Sequence, residues 1–172
     1  MANNDRPRGF HPYGPLLRAR PYSVDADESD GIFKGDVIEM QSDGNVGPAA
    51  AGEVQLLGAA LTYNAASTAS TAANPVMVAD NPHQLYEAQD DGAATPAQTN
   101  LGNSADHVAG TGSTVTKLSG HEIGLGSLST SDGGFKLLDF VQREDNEEDA
   151  VNADWVCQLN QGEGLLTLAA GV

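Results

Sequence analysis

The sequence predicts an all-β protein: a small antiparallel β-barrel or sandwich, with an extended N-terminal arm and at most one short helix. Three observations predict it. Apolar residues recur in short alternating runs, most clearly over residues 135–143 (FKLLDFVQR) and 153–160 (ADWVCQLN). Clusters of Gly, Ser, Thr and Asn separate such runs, most densely over residues 109–134. The first 22 residues hold four of the eight prolines, which lock φ and remove amide donors.

That first stretch, MANNDRPRGFHPYGPLLRARPY, is opposite in charge to the rest of the chain. Arg6, Arg8, Arg18 and Arg20 against Asp5 give it +3, so the remaining residues carry −19 of a total of −16. Pro7, Pro12, Pro15 and Pro21 exclude both a helix and a central strand. The expected organisation is a basic arm over residues 1–22, an acidic β-rich body over 23–162 and a tail over 163–172. Guanidinium groups and rings on a stiff segment need a surface to lie on. Arg6, Arg8, Phe10, His11, Pro12, Tyr13, Arg18, Arg20 and Tyr22 are therefore the candidate interface residues, expected to reach another molecule. On this reading, removing residues 2–22 leaves a folded body.

Along the body, residues 31–40 (GIFKGDVIEM) alternate as a strand and run into the turn cluster Ser42, Asp43, Gly44, Asn45. Residues 53–63 (EVQLLGAALTY) form a second strand, with Gly58 marking a bulge or bend. The Ala/Ser/Thr-rich run over 64–74 reads as a solvent loop, with a helix as the alternative for its alanines, and residues 75–79 and 83–89 as further strands. Thr95, Pro96 and Gln98 place a capping hydroxyl, a first-turn proline and a third-position amide at the start of one short helix, with Gly102 as its stop. In 135–143 the alternation puts Phe135, Leu137 and Val141 on one face and Lys136, Leu138 and Phe140 on the other. In 153–160 it groups Trp155, Cys157 and Leu159, so the single cysteine is a core filler.

Composition also excludes. A body at −19 repels phosphate, so neither nucleic acid nor an acidic membrane is an expected partner. The first ten residues have no apolar core of a secretion signal, and one cysteine permits no internal disulfide. The acidic runs at 25–30 (DADESD) and 144–149 (EDNEED) carry oxygen ligands that suit calcium, but the first misses the EF-hand pattern. Besides a surface calcium site, the runs read as solvated loops, or as landing places for arm arginines of a neighbouring subunit. His11, His83, His107 and His121 are scattered, without metal-ligand spacing. The runs Gly110–Thr111–Gly112–Ser113 and Gly124–Leu125–Gly126–Ser127 complete no phosphate-loop or nucleophile motif and read as turns. No catalytic residue, metal or cofactor is expected. With few aromatics, the thin core favours stabilisation by oligomerisation.

The order GFHPYG (9–14), KGDVIEM (34–40), HQLYEAQDD (83–91), NSADHVAGTGS (103–113), LSGHEI (118–123), FKLLDF with REDNE (135–147) and WVCQLN (155–160) resembles capsid decoration, or cement, proteins of tailed bacteriophages, particularly aquatic phages. The resemblance implies a virion structural protein on the outer capsid surface, often a homotrimer, that staples capsomers of a major capsid protein with the HK97-type fold. A virion surface module that binds host carbohydrate or envelope is the alternative.

Overall fold

The computed structural model describes residues 3–25, 31–52, 55–65, 71–130 and 132–160, with side chains of 71–74 excepted. The run at 26–30 and the tail at 163–172 lie outside the described residues.

The architecture is all-β, as expected. The strands are β1 (His11–Pro12), β2 (Arg20–Val24), β3 (Val37–Met40), β4 (Val46–Pro48), β5 (Leu56–Ala60), β6 (Thr71–Ala79), β7 (Leu85–Gln89), β8 (Ser104–Ala105), β9 (His107–Val108), β10 (Glu122–Ile123), β11 (Phe135–Phe140) and β12 (Asp154–Leu159). Strands β2-β4-β3-β5-β6 close into a barrel, β1-β7-β12-β11-β8 form a five-stranded sheet, and β9 pairs with β10. Among the described residues, the strand-to-strand pairings are antiparallel except β2 with β4, which meet in parallel at Val24 and Val46.

Two cores lie on the two faces of the barrel strands, with the alternation of β5 reset by a register shift beside Gly58. The barrel interior is filled by Val24, Ile32, Ile38, Val46, Leu57, Ala60, Val76 and Val78. A larger core, with Phe10, Tyr86, Phe135, Phe140 and Trp155, takes Val37, Leu56, Ala59 and Ala79 from the same barrel strands. Neighbours such as Val37 and Ile38, or Leu56 and Leu57, thus serve opposite cores. That division is why all five residues of β5 are buried.

Gly58 sits where the sequence suggests a bend. A Cβ there would lie 1.9 Å from the Ala79 carbonyl oxygen, and the β3–β5 register shifts between Ile38 and Glu39 beside it. Cys157 is fully buried in the larger core, where burial pushes its thiol pKa up.

Four expectations need correction. Residues 71–74 belong to β6 rather than to a loop, while 66–70 lie outside the described residues. The expected helix is a single 3-10 turn, Gln98–Asn100, where the Asn100 side chain, not Thr95, caps by accepting the Ala97 N–H at 2.7 Å. A second such turn spans Leu125–Ser127. A bulge between Leu137 and Asp139 resets the alternation of β11, so Phe140 faces the core and Leu138 is exposed.

The fourth correction concerns the arm. It is extended, but it is part of the fold: β1 is the edge of the five-stranded sheet and β2 is a barrel stave. Proline is tolerated in both places. Pro12 lies on an edge strand, and Pro21 pairs only with Met77 of β6, because β4 meets β2 at Val24 alone. Deleting residues 2–22 therefore removes β1 and most of β2, contrary to the expectation of an intact body.

Candidate functional site: the N-terminal segment

The segment is fastened at three points. At its start, Asn3 donates from Nδ2 to the carbonyls of Glu147 and Ala150 at 2.9 and 3.2 Å, and its Oδ1 accepts the Glu147 N–H at 2.7 Å. The acidic loop at 144–149 is thus a landing place for this chain's own arm, through an amide and backbone rather than arginine. Arg6 donates its backbone N–H to Gln89 Oε1 at 2.7 Å and leaves its side chain exposed. Arg8 reaches Glu87 and Asp154, carboxylates that it shares with Arg143.

The second point is apolar. Phe10 is 0% exposed and lies on Phe135 with ring centroids 4.3 Å apart. Its entry is fixed by a backbone crossing: the Phe10 N–H donates to the Gly35 carbonyl at 2.8 Å, and a Cβ on Gly9 would fall 2.4 Å from that oxygen. Gly9 has φ +77°, so glycine is required there for space and conformation alike. His11 pairs with Glu87 and Pro12 with Tyr86; burial lowers the His11 pKa. Phe10 is therefore a core residue and cannot serve as an interface anchor in the folded chain. The sequence could not reveal this, because an aromatic in a proline-rich run looks the same whether it faces its own body or another molecule.

The third point is Asp80, whose side chain has no exposed surface. Arg18 donates from Nε to Oδ1 at 2.7 Å and from Nη2 to the Asp80 carbonyl at 2.8 Å. Arg20 donates from Nε to Oδ2 at 2.6 Å, and the Tyr22 hydroxyl donates to the same oxygen at 2.7 Å. Burial alone would raise the Asp80 carboxyl pKa; hydrogen bonds from Tyr22, Arg18 and Arg20 outweigh it and hold the value below the usual range.

Between the second and third points the chain bows outward. The Tyr13 N–H donates to the Leu85 carbonyl at 2.7 Å. Buried Gln84 then accepts the Leu17 N–H at 2.8 Å and donates to the Pro15 carbonyl at 3.3 Å. The turn so held displays Tyr13, Leu16 and Leu17 at 36, 49 and 50% exposure. These are three of the six exposed large apolar side chains among the described residues, within five consecutive positions. Of the candidate residues, Tyr13, Arg18 and Arg20 thus flank this turn, whereas Phe10 is sequestered. Nothing in the sequence singles out Leu16 and Leu17 as exposed, because leucine side chains are more often buried in a core.

Elsewhere, His107 and His121, brought together by the pairing of β9 with β10, stack with centroids 5.3 Å apart in the interior. The Val37 N–H donates to His121 Nδ1 at 3.3 Å, and His121 Nε2 lies 3.6 Å from Asp36 Oδ1. Gly110, Gly112 and Gly120 are packing glycines: a Cβ on any of them would meet backbone or the Phe33 ring within 2.4 Å. Among the described residues, no group of three or more His, Cys, Asp or Glu is arranged to hold a metal ion. Comparison with known protein families, with curated proteins and with solved structures finds no match to this chain.

Proposed function

We propose that this chain is a capsid decoration protein, bound to the outer surface of an icosahedral virion and stapling neighbouring capsomers of the major capsid protein. The observation that carries the reading is the display of an apolar turn, Tyr13 to Leu17, by a basic segment tied down at both ends on an acidic all-β body. Contiguous exposed apolar side chains on a fixed support suit binding more than chemistry. The ordered run of motifs that resembles decoration proteins supports it further. So does the net charge of −16, which keeps decorated particles apart. The mechanism is passive: each copy buries its displayed turn against the shell, and self-association, with a homotrimer as the expected state, links capsomers.

The test is abundance and attachment. Mass spectrometry of purified particles is expected to find the chain in near-stoichiometric ratio to a capsid subunit, and purified chain is expected to rebind stripped shells. Its absence from particles, or glycan binding by the isolated chain without shell binding, would overturn the proposal.

A further inference from the structure

We propose that the surface formed by Tyr13, Leu16 and Leu17 with the Arg18–Arg20 pair is the docking face, and that its occupant is an acid-bearing apolar groove on the capsid shell protein. This inference rests on the proposed decoration role and names the contact that role requires.

Three observations carry it. First, the turn is preorganised. Gln84, itself buried, holds the Leu17 N–H and the Pro15 carbonyl, so the backbone that carries the leucines is fixed before binding and the ordering cost is reduced. Second, the face has surplus positive charge. No Asp or Glu occurs between Asp5 and Asp25, and Arg18 and Arg20 converge on the single carboxylate of Asp80. Two guanidiniums against one buried carboxylate leave about one positive charge beside the leucines, each guanidinium still having unused N–H donors and roughly half its side chain in solvent. Third, that sign is opposite to the chain's −16. A two-fold contact between copies would set the same cationic pair against itself, where like charges oppose; a head-to-tail contact between copies is the leucine-dependent self-association that the experiment below tests. An anionic membrane would attract the pair but repel the body. A protein groove offering carboxylates around an apolar floor satisfies both halves of the face.

The experiment uses the full chain and empty shells of the capsid protein from the same virion, with bound chain measured by co-sedimentation. Leu16→Ser with Leu17→Ser is expected to weaken binding at least about tenfold, the size of losing interface anchors. Gln84→Ala, which keeps both leucines, is expected to weaken it in the same direction. Arg20→Gln, which leaves Arg18 and Tyr22 on Asp80, is expected to reduce the salt dependence of binding. Val115→Ser removes an apolar side chain that is 89% exposed elsewhere and is expected to change nothing. Circular dichroism confirms that each variant keeps its fold. Wild-type binding undiminished by the double leucine change would overturn this docking face while leaving the decoration role standing. Failure of the wild type to bind shells would overturn both. Leucine-dependent self-association, or leucine-dependent binding to phosphatidylglycerol vesicles in place of shells, would overturn the assigned occupant.

Discussion

Phe10 lies almost parallel to Phe135, with 24° between ring planes and 4.3 Å between centroids, and so joins the N-terminal segment to the core of the five-stranded sheet. Tyr86 meets Phe135 edge-on at 6.2 Å, completing an aromatic cluster around which β1, β7 and β11 assemble. Phe10→Ala removes a fully buried ring and is expected to cost about 3–5 kcal/mol in urea unfolding. A loss below about 1 kcal/mol would mean that the segment packs independently of the core.

Asp80 offers a second measurement. Arg18→Ala alone leaves Arg20 and Tyr22 as donors, so a loss of about 1 kcal/mol is expected. Replacing both arginines leaves a buried carboxylate with Tyr22 as its side-chain partner, and the expected loss is about 3 kcal/mol, more than the two single losses together. Strict additivity in a double-mutant cycle would show that the guanidiniums act independently of their shared carboxylate.

These two anchors show where sequence reasoning succeeds and stops. Alternation identified the β12 face of Trp155, Cys157 and Leu159, because a strand buried against one core repeats every two residues. It misplaced Phe140, because the bulge after Leu137 shifts the phase by one and has no glycine or proline to announce it. Gly58 was legible, since glycine within an apolar run needs a steric reason, and the Ala79 carbonyl supplies one. The composition of the arm dictated an extended backbone but not its destination. Its partners, Phe135, Glu87 and Asp80, lie far along the chain, and no local pattern links them to Phe10, Arg8 or Arg18.

Glu122 makes a pH-dependent prediction. Burial, and then the neighbouring charges of Asp5, Asp91 and Asp90, raise its pKa to about 7 from an unfolded value near 4.5. The folded state therefore binds the proton more tightly, and this group's unfavourable contribution grows as pH rises from about 4.5 through 7. Glu122→Gln is expected to stabilise the protein by about 1–2 kcal/mol at pH 8, after discount for its partial exposure, and to be near neutral below pH 4.5. Thermal melts across that range check it; an equal effect at both ends would assign the change to packing rather than charge.

The interior pair of Asp36 and His121 carries opposing linkages that a single substitution separates. Burial, and then the charge of His107, lowers His121 to about 3 from 6.5, so its contribution to stability is lost as pH falls through that interval. Burial raises Asp36 to about 6 from 3.8, despite hydrogen bonds from Ser119 and the Phe33 N–H, so its contribution increases as pH falls through that interval. Between pH 6 and pH 4 the two slopes oppose. Asp36→Asn removes the compensating one while keeping an oxygen that accepts the Phe33 N–H. Its stability is therefore expected to fall more steeply than wild type on acidification, by an additional amount on the order of 2 kcal/mol across the window. Urea unfolding at stepped pH measures the slope directly. Parallel curves for the two proteins would mean that the Asp36 carboxyl titrates in the folded chain as it does unfolded, and that the contacts around it leave its ionisation unchanged.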